Sequence, residues 1–176
     1  MKRLLWRSFA LLLLATAARA QEIPTADFAA GYAHFHIVTG FTIATDGASG
    51  SLAWNVNRWL GVAGDLGAYR GSFGTGLTVA TYTSGPRVSY RKANRATPFA
   101  QALVGGAHFS SAVGGVPNST GDHFAFAFGG GIDIALGRSG RFALRPEGEY
   151  FGWRANGSTV NDVRLGIGIA YRIGRR

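Results

Sequence analysis

The chain has no cysteine, which excludes both a disulfide framework and thiolate metal sites. Acidic residues are scarce: there are nine against eighteen Lys and Arg, and none of the nine lies in the first twenty positions. Long apolar runs are also missing. A membrane-spanning helix needs about 18 or more apolar residues in a row, and Arg7 interrupts the one contender. What is plentiful is glycine, 27 residues of 176, together with aromatics, and that mixture argues against a helical bundle and against a disordered chain.

The first twenty residues read as an address rather than as structure. Met1 to Arg3 give a positive start, Leu4 to Ala17 a mostly apolar run, and Ala18-Arg19-Ala20 a small-x-small cleavage site before Gln21. The expected organisation is a removable signal peptide over 1–20 and one domain over 21–176. Removing Lys2, Arg3, Arg7 and Arg19 leaves fourteen basic and nine acidic residues, a net charge of +5. That excess is too small to mark a nucleic-acid binder.

From Asp27 onward, apolar residues recur at every second position, which is the period of a strand and not of a helix. In His123 to Leu136, Phe124, Phe126, Phe128, Ile132, Ile134 and Leu136 share one face. Ala125, Ala127, Gly129, Gly131, Asp133 and Ala135 share the other. In the last segment Val163, Leu165, Ile167, Ile169, Tyr171 and Ile173 oppose Asp162, Arg164, Gly166, Gly168, Ala170 and Arg172. Eight such segments follow one another. Only the first is ambiguous in phase, because Phe28 and Tyr32 compete with Phe35 and Ile37. Short turns are expected at Asn57 to Leu60, Lys92 to Ala96 and Gly137 to Gly140. Longer loops are expected around Val38 to Gly50, Gly71 to Leu77, Ser110 to Asp122 and Ala155 to Asn161. This is an all-β, eight-stranded, antiparallel up-and-down meander.

Eight antiparallel strands close into a barrel and so remove their free edges. Two closures compete: a soluble lipocalin-like barrel with its apolar face inside, and a membrane barrel with that face on lipid. A water-facing surface carries about 25 to 35% charged residues. Here the polar face is mostly Gly, Ala, Ser, Thr and Asn with isolated ions, which suits a crowded interior. A turn centred near Ser139 sets Asp133 opposite Arg145, and one centred on Asn156-Gly157 sets Glu149 opposite Arg164. Inward ions must pair in this way, since an unpaired one costs several kcal/mol. Trp54, Trp59, Tyr82, Tyr90, Tyr150 and Tyr171 fall near strand ends, where amphipathic rings favour a membrane interface. The reading is therefore a transmembrane barrel with a lumen network of Asp65, Arg87, Asp133, Arg145, Glu147, Glu149 and Arg164, and with no cofactor.

Over Ala26 to Ile173 the chain resembles the small eight-stranded outer-membrane barrels of bacteria, the family of the OmpA barrel and OmpX. The resemblance rests on the stretch Thr97 to Gly106, on the Phe-rich segment running into Gly129-Gly130-Gly131-Ile132-Asp133, and on the closing Val163 to Ile173. It implies location in the bacterial outer membrane, contact with outer-membrane lipid, and recognition of the last strand by the barrel assembly machinery. The family's terminal aromatic is replaced here by Ile173 followed by Gly174-Arg175-Arg176. The separate peptidoglycan-binding domain found in OmpA is not expected here, since the resemblance covers the barrel portion only.

Two candidate sites stand beside the barrel itself. Four histidines, His34, His36, His108 and His123, fall near the long-loop rim, but only Asp122 is an acid near them in sequence, so no metal site is expected. Period two puts His108 and Ser110 on one face. His108-Phe109-Ser110 resembles the His-x-Ser of the outer-membrane lipid A 3-O-deacylase, which would make Ser110 a nucleophile, His108 its base and Asp122 the orienter. Gly129-Gly130-Gly131 lies within a strand and reads as a packing feature, not a phosphate loop. Arg91, Lys92, Arg95, Arg138, Arg141, Arg175 and Arg176 gather at the short-turn end. The function expected is a non-enzymatic structural or surface-interaction barrel with a plugged lumen and an undetermined loop ligand. The deacylase, a small porin and a soluble lipocalin-like barrel are the alternatives.

Overall fold

A computed structural model describes residues 23–39, 41–72, 76–91, 95–113, 116–155 and 158–174. The proposed signal peptide, Lys92, Asn156-Gly157, Arg175 and Arg176 lie outside these residues. Eight strands run in chain order: β1 (Ala26–Thr39), β2 (Phe41–Asn55), β3 (Leu60–Ser72), β4 (Gly76–Ser89), β5 (Ala96–Val113), β6 (Val116–Leu136), β7 (Phe142–Ala155) and β8 (Ser158–Ile173). Each pairs antiparallel with its neighbour, and β8 returns to β1 to close the barrel.

The two ends of the barrel differ in how the chain turns. At the end where β1 begins, Asn57 Oδ1 accepts hydrogen bonds from the Trp59 and Leu60 amides at 2.9 and 2.8 Å, a side-chain-built turn. The β6–β7 turn at this end uses Gly137 and Gly140 at φ of 67° and 61°, a conformation that β-carbon-bearing residues resist. At the opposite end the expected long loops are largely strand. Ladder pairing continues to Thr39↔Phe41, Ser72↔Gly76, Val113↔Val116 and Ala155↔Ser158.

The physical reason for that correction is a reversal of polarity along the wall. Near the turn end, outward positions are apolar: Phe28, Leu52, Val62, Val88, Ile134, Phe142 and Ile169 are all exposed. Towards the other end, outward positions become His34, His36, Asp46, Arg70, Thr78, His108, Ser110, Asp122 and Arg154, while inward ones become Phe35, Tyr69, Val79, Leu103, Phe151 and Trp153. Strand β1 crosses that boundary. Phe28, 48% exposed, points out, and Phe35, 2% exposed, points in, which settles the phase of this strand; the Ile37 side chain lies outside the described residues. A polar outer face interleaved with glycine has the composition of a loop even where the backbone is a paired strand.

The outward apolar band has a measurable height. On β8 it runs from Val163 to Ile173, ten residue steps. At about 3.3 Å per step and a tilt of about 40°, this gives about 25 Å, the height of the apolar band of an outer-membrane barrel. Inside, glycine makes room for ions. Gly31 and Gly168 meet across the β1–β8 seam, where a Cβ on Gly31 would come within 2.4 Å of the Gly168 Cα. Together with Ser49 and Ser51 they flank Arg145 and Glu147. The Gly129-Gly130-Gly131 run lies within β6; a Cβ on Gly130 would meet the Phe99 carbonyl oxygen at 2.1 Å, so close backbone approach accounts for that position.

Candidate functional site

Every residue of the expected lumen network lies on the inward face. Asp65, Arg87, Asp133, Arg145, Glu149 and Arg164 are buried and Glu147 is half-buried. The two pairs that the turn positions specify face each other. Arg145 holds Asp133 in a fork, Nε to Oδ1 at 2.6 Å and Nη2 to Oδ2 at 2.8 Å, and its Nη1 donates to Ser51 Oγ at 3.1 Å. Arg164 Nε donates to Glu149 Oε2 at 2.9 Å, and its Nη2 donates to the same oxygen.

The structure adds cross-lumen partners that no hairpin register could supply. Arg164 Nη1 reaches the far wall, to Asp65 Oδ1 at 2.7 Å and to the Tyr69 hydroxyl at 2.8 Å. Gln101 Nε2 donates to Glu149 Oε1 at 2.6 Å. Among the described residues Arg87 forms no ion pair; its guanidinium carbon sits 3.6 Å from the Phe99 ring centroid, with Arg145 at 4.9 Å from the same ring. A desolvated contact of this kind contributes about 2 kcal/mol.

Two further layers bracket the ions. Nearer the turns, Arg91 Nη2 donates to Asn55 Oδ1 at 2.8 Å and to Asp27 Oδ2 at 3.2 Å, and Asn55 Nδ2 donates to Asp27 Oδ2 at 2.9 Å. Towards the opposite end aromatic side chains pack against one another on the inward face. Phe35 packs edge-on against Tyr69 and Phe151, with centroids 4.9 and 5.1 Å apart, and Phe109 lies 4.8 Å from Trp153. The sequence reading of small residues and ions holds for the lower lumen only; the upper lumen is aromatic because the wall outside it is polar.

The outer collar contains two His–Asp pairs. His34 Nδ1 lies 2.7 Å from Asp46 Oδ1, and the Tyr32 hydroxyl donates to the same oxygen. Beyond the apolar band, the His34 hydrogen bond and then that of Tyr32 hold the Asp46 carboxyl below the usual aspartate value. This partner was missed in the sequence, although a hairpin centred on residue 40 would have paired 34 with 46. His108 Nδ1 lies 2.8 Å from Asp122 Oδ1, so two of the three deacylase-like residues meet. Ser110 shares their face, but its ladder partners are Thr78 and Thr120, and among the described residues it forms no hydrogen bond with His108. His123 points inward at the rim, 2.9 Å from the Arg154 carbonyl oxygen. Among the described residues, no group of three or more His, Cys, Asp or Glu is placed to hold a metal ion.

An eight-stranded closed meander with ions within and a belt of aliphatic and aromatic side chains without has the fold of the small outer-membrane β-barrels. Solved structures with this fold include the following three. Neisserial surface protein A superposes with a TM-score of 0.73 at 14% identity, covering 88% of this chain and 100% of that one. Ail, the attachment invasion locus protein of Yersinia pestis, gives 0.59 at 17%, covering 85% and 100%. The N-terminal β-barrel domain of Pseudomonas aeruginosa OprF gives 0.55 at 10%, covering 86% and 100%. No protein-family model and no curated protein matches the chain in sequence. At these identities the likeness extends to the fold.

Proposed function

We propose that the chain is an exported, non-enzymatic barrel of the bacterial outer membrane, which presents its collar and loops outside and keeps its lumen closed. The observation that carries this reading is the sidedness of one strand: Arg164 is 1% exposed while its neighbour Leu165 is 57% exposed. In water this arrangement would strand the aliphatic row and bury ions for nothing. In a bilayer it puts hydrocarbon on hydrocarbon and leaves the ions paired among themselves. The signal-like first twenty residues supply the route of export, and the β8 strand is the segment offered to the barrel assembly machinery.

A plugged lumen distinguishes this role from a small porin. The Arg145–Asp133 and Arg164–Glu149–Asp65 clusters and the Phe35–Tyr69–Phe151 layer lie one above another across an interior only wide enough for side chains. The unlinked Ser110 argues against deacylation, and Ser110→Ala should leave lipid A acylation unchanged. The test of the main reading is membrane fractionation with heat-dependent gel mobility. A membrane-bound protein whose mobility shifts on boiling supports it, and a soluble, heat-indifferent one overturns it.

A further inference from the structure

A strand sets residues i and i+2 on one face, about 6.6 Å apart along the chain, and neutral imidazole is the side chain that copper, nickel and zinc ions favour. His34 and His36 stand in this relation on the outward face of β1, between and beyond the inward Ala33 and Phe35. His36 is exposed and His34 half-buried, and their ring centroids are 6.5 Å apart. Two imidazoles bound to one ion at about 2.1 Å have centroids about 4.5 to 6.5 Å apart, from adjacent to opposite positions on the ion. The observed separation lies at the upper edge of that range, and rotation of the exposed His36 ring, which forms no hydrogen bond or ion pair with a described residue, brings it to the middle.

A second, independent feature orients the other ring. His34 Nδ1 lies 2.7 Å from Asp46 Oδ1, and the Tyr32 hydroxyl donates to the same oxygen. A carboxylate can only accept, so it selects the tautomer with the proton on Nδ1 and leaves the Nε2 lone pair directed away from Asp46. Metal-bound histidines are held in this way, by a carboxylate on the ring nitrogen that does not ligate. The β1–β2 register supplies the contact by setting His34 opposite Asp46. The collar also contains its own comparison. His108 has the same kind of partner in Asp122, at 2.8 Å, but the residues two places to either side of it are Gly106 and Ser110. One His–Asp pair has a second imidazole on its face and the other has none.

We propose that His34 and His36 together bind one divalent transition-metal ion of the copper and zinc class through their imidazole nitrogens, with Asp46 as a positioning residue and water in the remaining places on the ion.

The experiment uses the full chain without an affinity tag, refolded in lipid nanodiscs, each variant being checked for the mobility shift on boiling. Zn(II) titration calorimetry gives stoichiometry and affinity. Pulsed electron paramagnetic resonance of bound Cu(II) counts imidazoles, because it reads the remote ring nitrogen of each one. The wild type should bind one Zn(II) per chain and place two imidazoles on Cu(II). Asp46→Ala should weaken Zn(II) binding about tenfold with both imidazoles still read, and Asp46→Asn, which keeps an acceptor oxygen, should recover part of that loss. His34→Ala and His36→Ala should each leave one imidazole and weaken binding by more than Asp46→Ala does. His108→Ala should leave binding unchanged. A single imidazole in the wild type, or equal losses in His108→Ala and His36→Ala, would overturn the site in favour of separate histidines. An unmoved affinity in Asp46→Ala would overturn the role of the carboxylate. Displacement of Zn(II) by Ca(II) at equal concentration would assign binding to oxygen ligands and overturn the proposal.

Discussion

Replacing Arg164 by Met keeps most of the side-chain volume and removes the charge at the centre of the lumen. Three partners lose their donor: Glu149, Asp65 and the Tyr69 hydroxyl, all buried. Two carboxylates then share a low-dielectric space without the cation between them. Breaking a buried pair in this way costs about 3–5 kcal/mol, whereas an exposed pair is worth about 1 kcal/mol or less. Urea unfolding in lipid vesicles, followed by tryptophan fluorescence, measures the difference. The triple variant Arg164→Met, Glu149→Gln, Asp65→Asn should recover most of the loss, because neutral amides no longer need the guanidinium. A loss below about 1 kcal/mol would mean that water screens the cluster, and the closed-lumen argument would fall. A triple variant no better than the single one would assign the loss to packing rather than to charge.

The inward aromatic packing predicts that Phe35→Ala destabilises by about 3–5 kcal/mol in the same unfolding assay, since its ring contacts both Tyr69 and Phe151. On the outer face, Ile167→Arg near the middle of the apolar band should cost about 2–4 kcal/mol and Thr159→Arg in the collar about 0–1, so equal costs would displace the band. In the collar, His34→Ala should raise the depressed Asp46 titration, as read from its carboxyl carbon shift. The pair's contribution to stability is present above the unfolded aspartate value and lost as pH falls through the lowered one, so an unmoved titration would break this link. Purified protein in planar bilayers should show no steady conductance, and a persistent open level would contradict the plugged lumen.

The lower half of the barrel was legible because period two is a direct image of a two-sided wall. Val163 through Ile173 alternates with ions and glycine, and turn positions alone set Glu149 against Arg164. The upper half was obscured because its outer face meets water. There Asp46 falls within an expected loop, His34 and His36 sit near the expected rim, and Phe35 looks out of phase. The barrel's soluble and membrane closures are not alternatives in this chain but successive zones of one wall. The aromatic interior of the upper zone was hidden for the same reason.

The sequence by itself determined the strand count, the antiparallel order and the neighbour pairs, since these depend on periodicity and turn position along a continuous chain. Contacts across the lumen were decided only by closure. Arg164 and Asp65 lie 99 residues apart, and Arg145 and Ser51 lie 94 apart. What brings them together is the joining of β8 to β1, which fixes the curvature and stagger of the wall and so which inward side chains share a level.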